Sequence, residues 1–115
     1  MAELGALRAQ VREFVRERDW DQFHSPKNLS MALAVEAAEL MEIFQWKTED
    51  ESRSLDEKAL AAAGEEIADV LIYLVRIADQ LGIDPVEAAH RKLAANARKY
   101  PVDKARGNSR KYDEL

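Results

Sequence analysis

Between Gly64 and Leu81 the sequence reads GEEIADVLIYLVRIADQL, and Ile67, Val70, Leu71, Ile72, Leu74, Val75 and Ile77 leave it almost no polar face. A helix that is apolar nearly all round must be buried on more than one side. In a chain of 115 residues that requirement favours burial by a second copy, so an oligomer is expected.

The punctuation around this segment predicts three more helices and no strand. Leu4, Leu7, Val11, Phe14 and Val15 stand at helical spacing in a first helix that should end near Asp19. Ser25-Pro26 supplies a cap followed by proline at the first helical position, opening a second helix that runs to about Gln45. The stretch KTEDESR then reads as a polar loop, and Ser54-Leu55-Asp56-Glu57 as the capping box of the apolar third helix. Gly82 suits the left-handed position after that helix, Asp84-Pro85 caps the fourth, and Pro101 stops it. Short connections between such helices imply an all-α, four-helix bundle-like fold in one domain over 1–115. The basic tail, 101–115, should be ordered only if something holds it.

Composition narrows the function. The chain has no cysteine, which excludes disulfides, thiolate metal sites and a thiol nucleophile. Its apolar runs fall short of a membrane span and its N-terminus turns polar at Arg8 and Gln10, so a cytoplasmic protein is expected, with no membrane partner. The terminal YDEL is read as a chance likeness to a retention signal. A formal net charge of −5 argues against a nucleic-acid binder. The sign is uneven: acids crowd 36–69, and basic residues dominate from Arg91 to Lys111.

The acids carry the chemistry. With Glu36 at zero on a helical wheel, Leu29, Leu33, Leu40, Ile43 and Phe44 fall between roughly −20° and +80°, placing Glu36 inside the core stripe. Glu39 lies at its edge, and Glu42 falls further round toward solvent. The third helix repeats the arrangement, with Glu66 bordering the apolar stripe, Asp69 one turn on and Tyr73 between them in angle. If the two helices pack antiparallel, four carboxylates meet. They would repel one another, and burial would raise their pKa values, unless a cation neutralised them. A set of oxygen donors without cysteine, in a chain whose only histidines are His24 and His90, suits Mg2+, or Mn2+, rather than Zn2+. The plainer alternative is four ordinary surface acids, since E-x-x-E is common in helices. Glu87-Ala-Ala-His90 fits half of a di-iron pattern that needs two copies, so His90 is expected to be structural.

The pair Glu36-x-x-Glu39 followed by Glu66-x-x-Asp69 resembles the all-α nucleoside triphosphate pyrophosphatase superfamily, the MazG-like and dimeric dUTPase group. The stretches ERDWDQFHSPKNL, EIFQWKT, DVLIYLV, Lys92–Pro101 and SRKYDEL narrow the likeness to the branch that cleaves dCTP, over about residue 10 to the end. Val35 stands where MazG-type members often carry another acid, which points to the same branch.

The resemblance implies a Mg2+-dependent enzyme that cleaves dCTP, or 5-modified dCTP, to the monophosphate and pyrophosphate, working as a homotetramer. Glu36, Glu39, Glu66 and Asp69 would then be catalytic metal ligands, with Glu39 one candidate to take a proton from water. Lys92, Asn96 and Lys99, at i, i+4 and i+7, would grip the phosphates, and Arg110 and Lys111 would close over them. Trp20, His24, Trp46 and Tyr73 would surround the nucleoside, although core packing is the plain reading of either tryptophan. Lys27 and Lys99 stand where relatives often have arginine, which gives up bidentate geometry while keeping the charge. Two competing expectations remain: the same fold acting on dUTP or another triphosphate, and a non-catalytic helical interaction module.

Overall fold

The computed structural model describes residues 2–115, and every regular element among them is helical, the all-α class expected. Helix α1 spans Ala2–Glu17, α2 Pro26–Phe44, α3 Glu49–Ser52, α4 Glu57–Gln80, α5 Pro85–Lys99 and α6 Val102–Ala105, with 3-10 turns at Asp21–Phe23 and Tyr112–Glu114. None of these helices is long and apolar enough to cross a membrane. One compact unit ends at Ile83 and a second begins at Asp84.

The first unit is organised by α4, against which both α1 and α2 pack. Val11 and Val15 from α1, Leu29 from α2, and Ala63, Val75 and Ala78 from α4 are its buried apolar side chains, with Leu29 only 1% exposed. The small residues on α4 let the neighbouring helices approach closely. The α2–α4 pair is antiparallel: His24, just ahead of α2, meets Arg76 and Gln80 late in α4, while Glu36 in mid-α2 meets Glu66.

The caps explain most of the boundaries. Ser25 accepts a hydrogen bond from the Asn28 N–H, with Pro26 in the first turn, and Asp84 accepts from the Val86 and Glu87 N–H groups ahead of α5. Gly82 follows α4 at φ 67°, the left-handed conformation expected there. Two local readings are corrected. The α4 cap is Asp56, whose carboxylate accepts from the Ala59 N–H, rather than Ser54. The polar loop 47–53 contains the one-turn helix α3, held by a reciprocal capping box between Thr48 and Glu51. Helix α1 stops at Glu17, before Asp19, which adopts φ 54°.

In the second unit α5 is followed by α6 and a tail that folds back on the helix end. The Tyr112 ring meets Tyr100 edge to face at 6.1 Å, and the Lys99 ammonium lies 5.0 Å from the Tyr112 centroid. Both contacts join the tail to the end of α5. Glu87 pairs with Arg91, and His90, expected to be structural, is exposed.

Candidate active site

The antiparallel register of α2 and α4 brings the expected acids together. One oxygen each from Glu36, Glu39 and Glu66 lies within 4.8 Å of the others. Asp69, one turn beyond Glu66, stands outside that three-way meeting yet close enough to act on Glu36 and Glu66 as a like charge. Glu42 is exposed, as its helical angle requires.

Two of the acids are anomalous in the same way. Oε2 of Glu36 and Oε2 of Glu66 are shielded from solvent and have no hydrogen-bond partner. Buried carboxylate oxygens are ordinarily satisfied, because leaving one bare forfeits its hydration with nothing in return. The electrostatics agree. The Glu36 pKa is pushed up to about 7, by burial first, then by hydrogen bonding and repulsion from Glu39, and further by Asp69. Burial likewise raises Glu66, with repulsion from Glu39 adding to it. A divalent cation would satisfy the bare oxygens and cancel the repulsion together, and an all-carboxylate donor set is the hard one that Mg2+ or Mn2+ takes. The residues fit such an ion.

Further along α4, a second feature opens on the same unit. Trp20, His24 and Tyr73 line a cavity of about 290 Å³, closed on the α1 side by Phe14 and Val15. Its walls are mostly apolar with a few polar groups, the make-up of a small-molecule pocket. Phe14 and Trp20 meet edge to face at 5.7 Å, which fixes the indole. Tyr73 lies two turns from Glu66, so the cavity and the acid cluster are about 10 Å apart along the helix axis.

Not every expected residue joins these features. Trp46 is 89% exposed and lies outside the cavity. Lys92, Asn96, Lys99, Arg110 and Lys111 belong to the second unit, where Asn96 is half-buried and the four basic residues are exposed. Sequence reasoning missed Arg76. It is 5% exposed, ion-paired with Asp21 and with Asp79 (3.5 Å), and it donates from Nε to His24 Nδ1 at 3.2 Å. Its signal was available: it is the lone charge in the mostly apolar stretch between Asp69 and Asp79.

Comparison with known proteins follows the same lines. The pattern of the MazG-like family matches residues 31–115. The human protein named dCTP pyrophosphatase 1 is 49% identical over 111 residues, covering 95% of this chain and 65% of its own. Its counterpart from Mus musculus is 46% identical with the same coverage. The chain thus spans 65% of the length of these relatives. A crystal structure of a pyrophosphatase from Archaeoglobus fulgidus superposes with a TM-score of 0.81 at 45% identity, covering 86% of this chain and 93% of that one.

Proposed function

The chain belongs to the MazG-like family, and from that premise we propose that it is a nucleoside triphosphate pyrophosphatase that hydrolyses dCTP to dCMP and pyrophosphate. The observation that carries the proposal is the pair of shielded, unpartnered oxygens on Glu36 and Glu66 beside Glu39. Surface decoration does not leave two carboxylate oxygens shielded and bare, with the pKa of both groups raised by burial and like charge; a site awaiting a cation does.

Glu36, Glu39, Glu66 and Asp69 would hold Mg2+, or Mn2+ in its place. The ion supplies positive charge against the triphosphate oxygens and acidifies water for attack on phosphorus. Glu39 is the candidate to take the proton that the attacking water gives up. The cavity beside Trp20, His24 and Tyr73 takes the base, with the aromatic rings as stacking surfaces and the histidine as the edge reader. The phosphates would be gripped by Lys92, Asn96 and Lys99, spaced to share one face of α5, and by Arg110 and Lys111. Trp46, fully exposed in the isolated chain, contributes to the base site only once another subunit covers it.

That dependence fits a homo-oligomer, proposed as a tetramer, with residues 1–115 acting as one domain. Large apolar side chains stand in the open on both central helices, among them Met31 and Met41 on α2 and Leu60 and Ile67 on α4, each more than half exposed. Patches of that kind mark protein contacts. A cytoplasmic enzyme of this type removes unwanted cytidine nucleotides, 5-modified dCTP included, before they are used.

The test is product analysis with each dNTP and NTP, with and without Mg2+. Monophosphate and pyrophosphate, most from dCTP and none without metal, are expected. Products from dUTP instead would keep the chemistry and move the base. The variant Glu66→Gln should lose metal binding and turnover together. Full activity in that variant would sink the metal-site assignment, and no turnover of any triphosphate by the unmodified protein would return the interaction module.

A further inference from the structure

Among the polar groups that line the cavity is a histidine whose hydrogen-bonding direction is fixed by the protein. His24 sits between a short 3-10 turn and α2, and its backbone is tied down at both ends. Its N–H donates to the Asp21 carbonyl at 3.1 Å, and its carbonyl accepts from Gln80 Nε2 at 2.8 Å. The ring is then gripped from the far side by Arg76, which donates from Nε to Nδ1 at 3.2 Å. Arg76 cannot rotate away: it is buried, with Asp21 and Asp79 as anionic partners, and Asp79 is itself held bidentately by Arg12.

A guanidinium only donates, and in a protein it does not lose its proton. Nδ1 must therefore be the acceptor, which leaves the ring's hydrogen on Nε2. The alternative tautomer would set N–H against N–H. The doubly protonated ring is disfavoured as well, because burial first and the Arg76 charge second lower the His24 pKa against the smaller pull of Asp21. Nε2 makes no hydrogen bond among the described residues, and His24 lines the cavity. An unconstrained histidine could offer either a donor or an acceptor to a ligand; this one can offer only a donor.

We propose that Arg76 is a positioning residue that locks His24 as an Nε2–H donor, and that this donor selects a pyrimidine whose N3 is an acceptor. The inference rests on the cavity being the base site. Cytosine presents a lone pair at N3, whereas uracil and thymine present N3–H, which would meet the fixed donor head on. Arg76, which also lines the cavity, thereby sets base choice through the tautomer it imposes on His24.

The first experiment uses the unmodified protein without nucleotide: nitrogen-15 spectroscopy of the His24 ring at neutral pH. Nδ1 should report an unprotonated nitrogen and Nε2 a protonated one. Protonation at Nδ1, or at both nitrogens, overturns the proposal and needs no variant to show it. The second compares kcat/KM for dCTP and dUTP in Arg76→Met. Loss of fold support alone lowers both values together, while loss of the lock lowers the dCTP-to-dUTP ratio, by about tenfold or more. His24→Gln, whose amide can turn either face to the base, should lower the same ratio with Arg76 intact, which covers the case of a poorly folded Arg76 variant. An unchanged ratio in these variants, or a rise, refutes the inference. If no triphosphate is turned over, the pyrophosphatase reading falls by itself. The ring spectrum and the relative binding of deoxycytidine and deoxyuridine then decide the role of Arg76 in the same way.

Discussion

Metal binding to this protein should release a proton, and the amount follows from Glu36. Its pKa of about 7 means that the free site carries a proton there at pH 6 and has largely lost it by pH 8. A cation bound between Glu36, Glu39 and Glu66 requires carboxylates, so binding displaces whatever proton is present. A group with that pKa is about 0.9 protonated at pH 6 and about 0.1 at pH 8, so the release should fall from roughly one proton per ion to a tenth of that. Glu66, shifted the same way, adds to the figure at the acid end. Calorimetric titration with Mg2+ and with Mn2+ in two buffers of different ionisation enthalpy measures the number directly. Below pH 7 the affinity should rise about tenfold per pH unit, then level off. Equal heats in the two buffers at pH 6 would refute the reasoning, and so would release of the same size in Glu36→Gln.

The same shift makes a statement about the metal-free fold. Between the ordinary value of 4.5 and about 7 the folded protein holds a proton on Glu36 that the unfolded chain has given up. The folded state therefore binds more protons across that window, and its stability must fall as pH rises through it. Saturating Mg2+ should remove or reverse the slope. Chemical denaturation at pH 5 and pH 7, with and without the ion, reads both signs.

Two further predictions concern the scaffold. Leu29→Ala removes the most deeply buried side chain of the first unit and should cost roughly 2–5 kcal/mol of unfolding free energy by urea denaturation, with less lost only if α2 and α4 close the void. Gly82→Ala should cost about 1–2 kcal/mol although its Cβ would meet nothing within 4 Å, because the whole penalty lies in the positive φ of 67°. A neutral result there would mean that the turn after α4 relaxes.

The legible parts of the sequence are those where one physical rule acts alone. The period of Leu29, Leu33, Leu40 and Ile43 fixed the inward face of α2, and with it the abnormal position of Glu36. The cap of α4 was misread because two patterns overlap there, Ser54 ahead of Glu57 and Asp56 ahead of Ala59, and only the packed helix chooses between them. Helix α3 has too few residues to show a period, although Thr48 and Glu51 spelled a capping box inside what looked like a loop. Arg76 was passed over because apolar periodicity counts what surrounds a charge and says nothing of its partners, which come from Asp21 at a distance and Asp79 one turn away.

Helix α4 thus solves the burial of charge in two opposite ways within its own length. At Arg76 and Asp79 opposite charges are shielded and paired, with Arg12 and Asp21 completing the set, so that end needs nothing from outside. At Glu66 and Asp69 like charges gather beside Glu36 and Glu39, two oxygens have no partner, and a proton is retained at a pH where a carboxylate ordinarily gives it up. Neutralising the first end should weaken the fold, because it strands a buried partner. Neutralising the second should strengthen the metal-free fold, because it removes repulsion and desolvation that nothing in the chain offsets. Arg76→Met and Glu66→Gln should therefore move the metal-free melting temperature in opposite directions. Only Glu66→Gln should lose the additional stabilisation by Mg2+. If both variants were destabilised alike, the acids would be ordinary structural groups and the case for a cation between them would be lost.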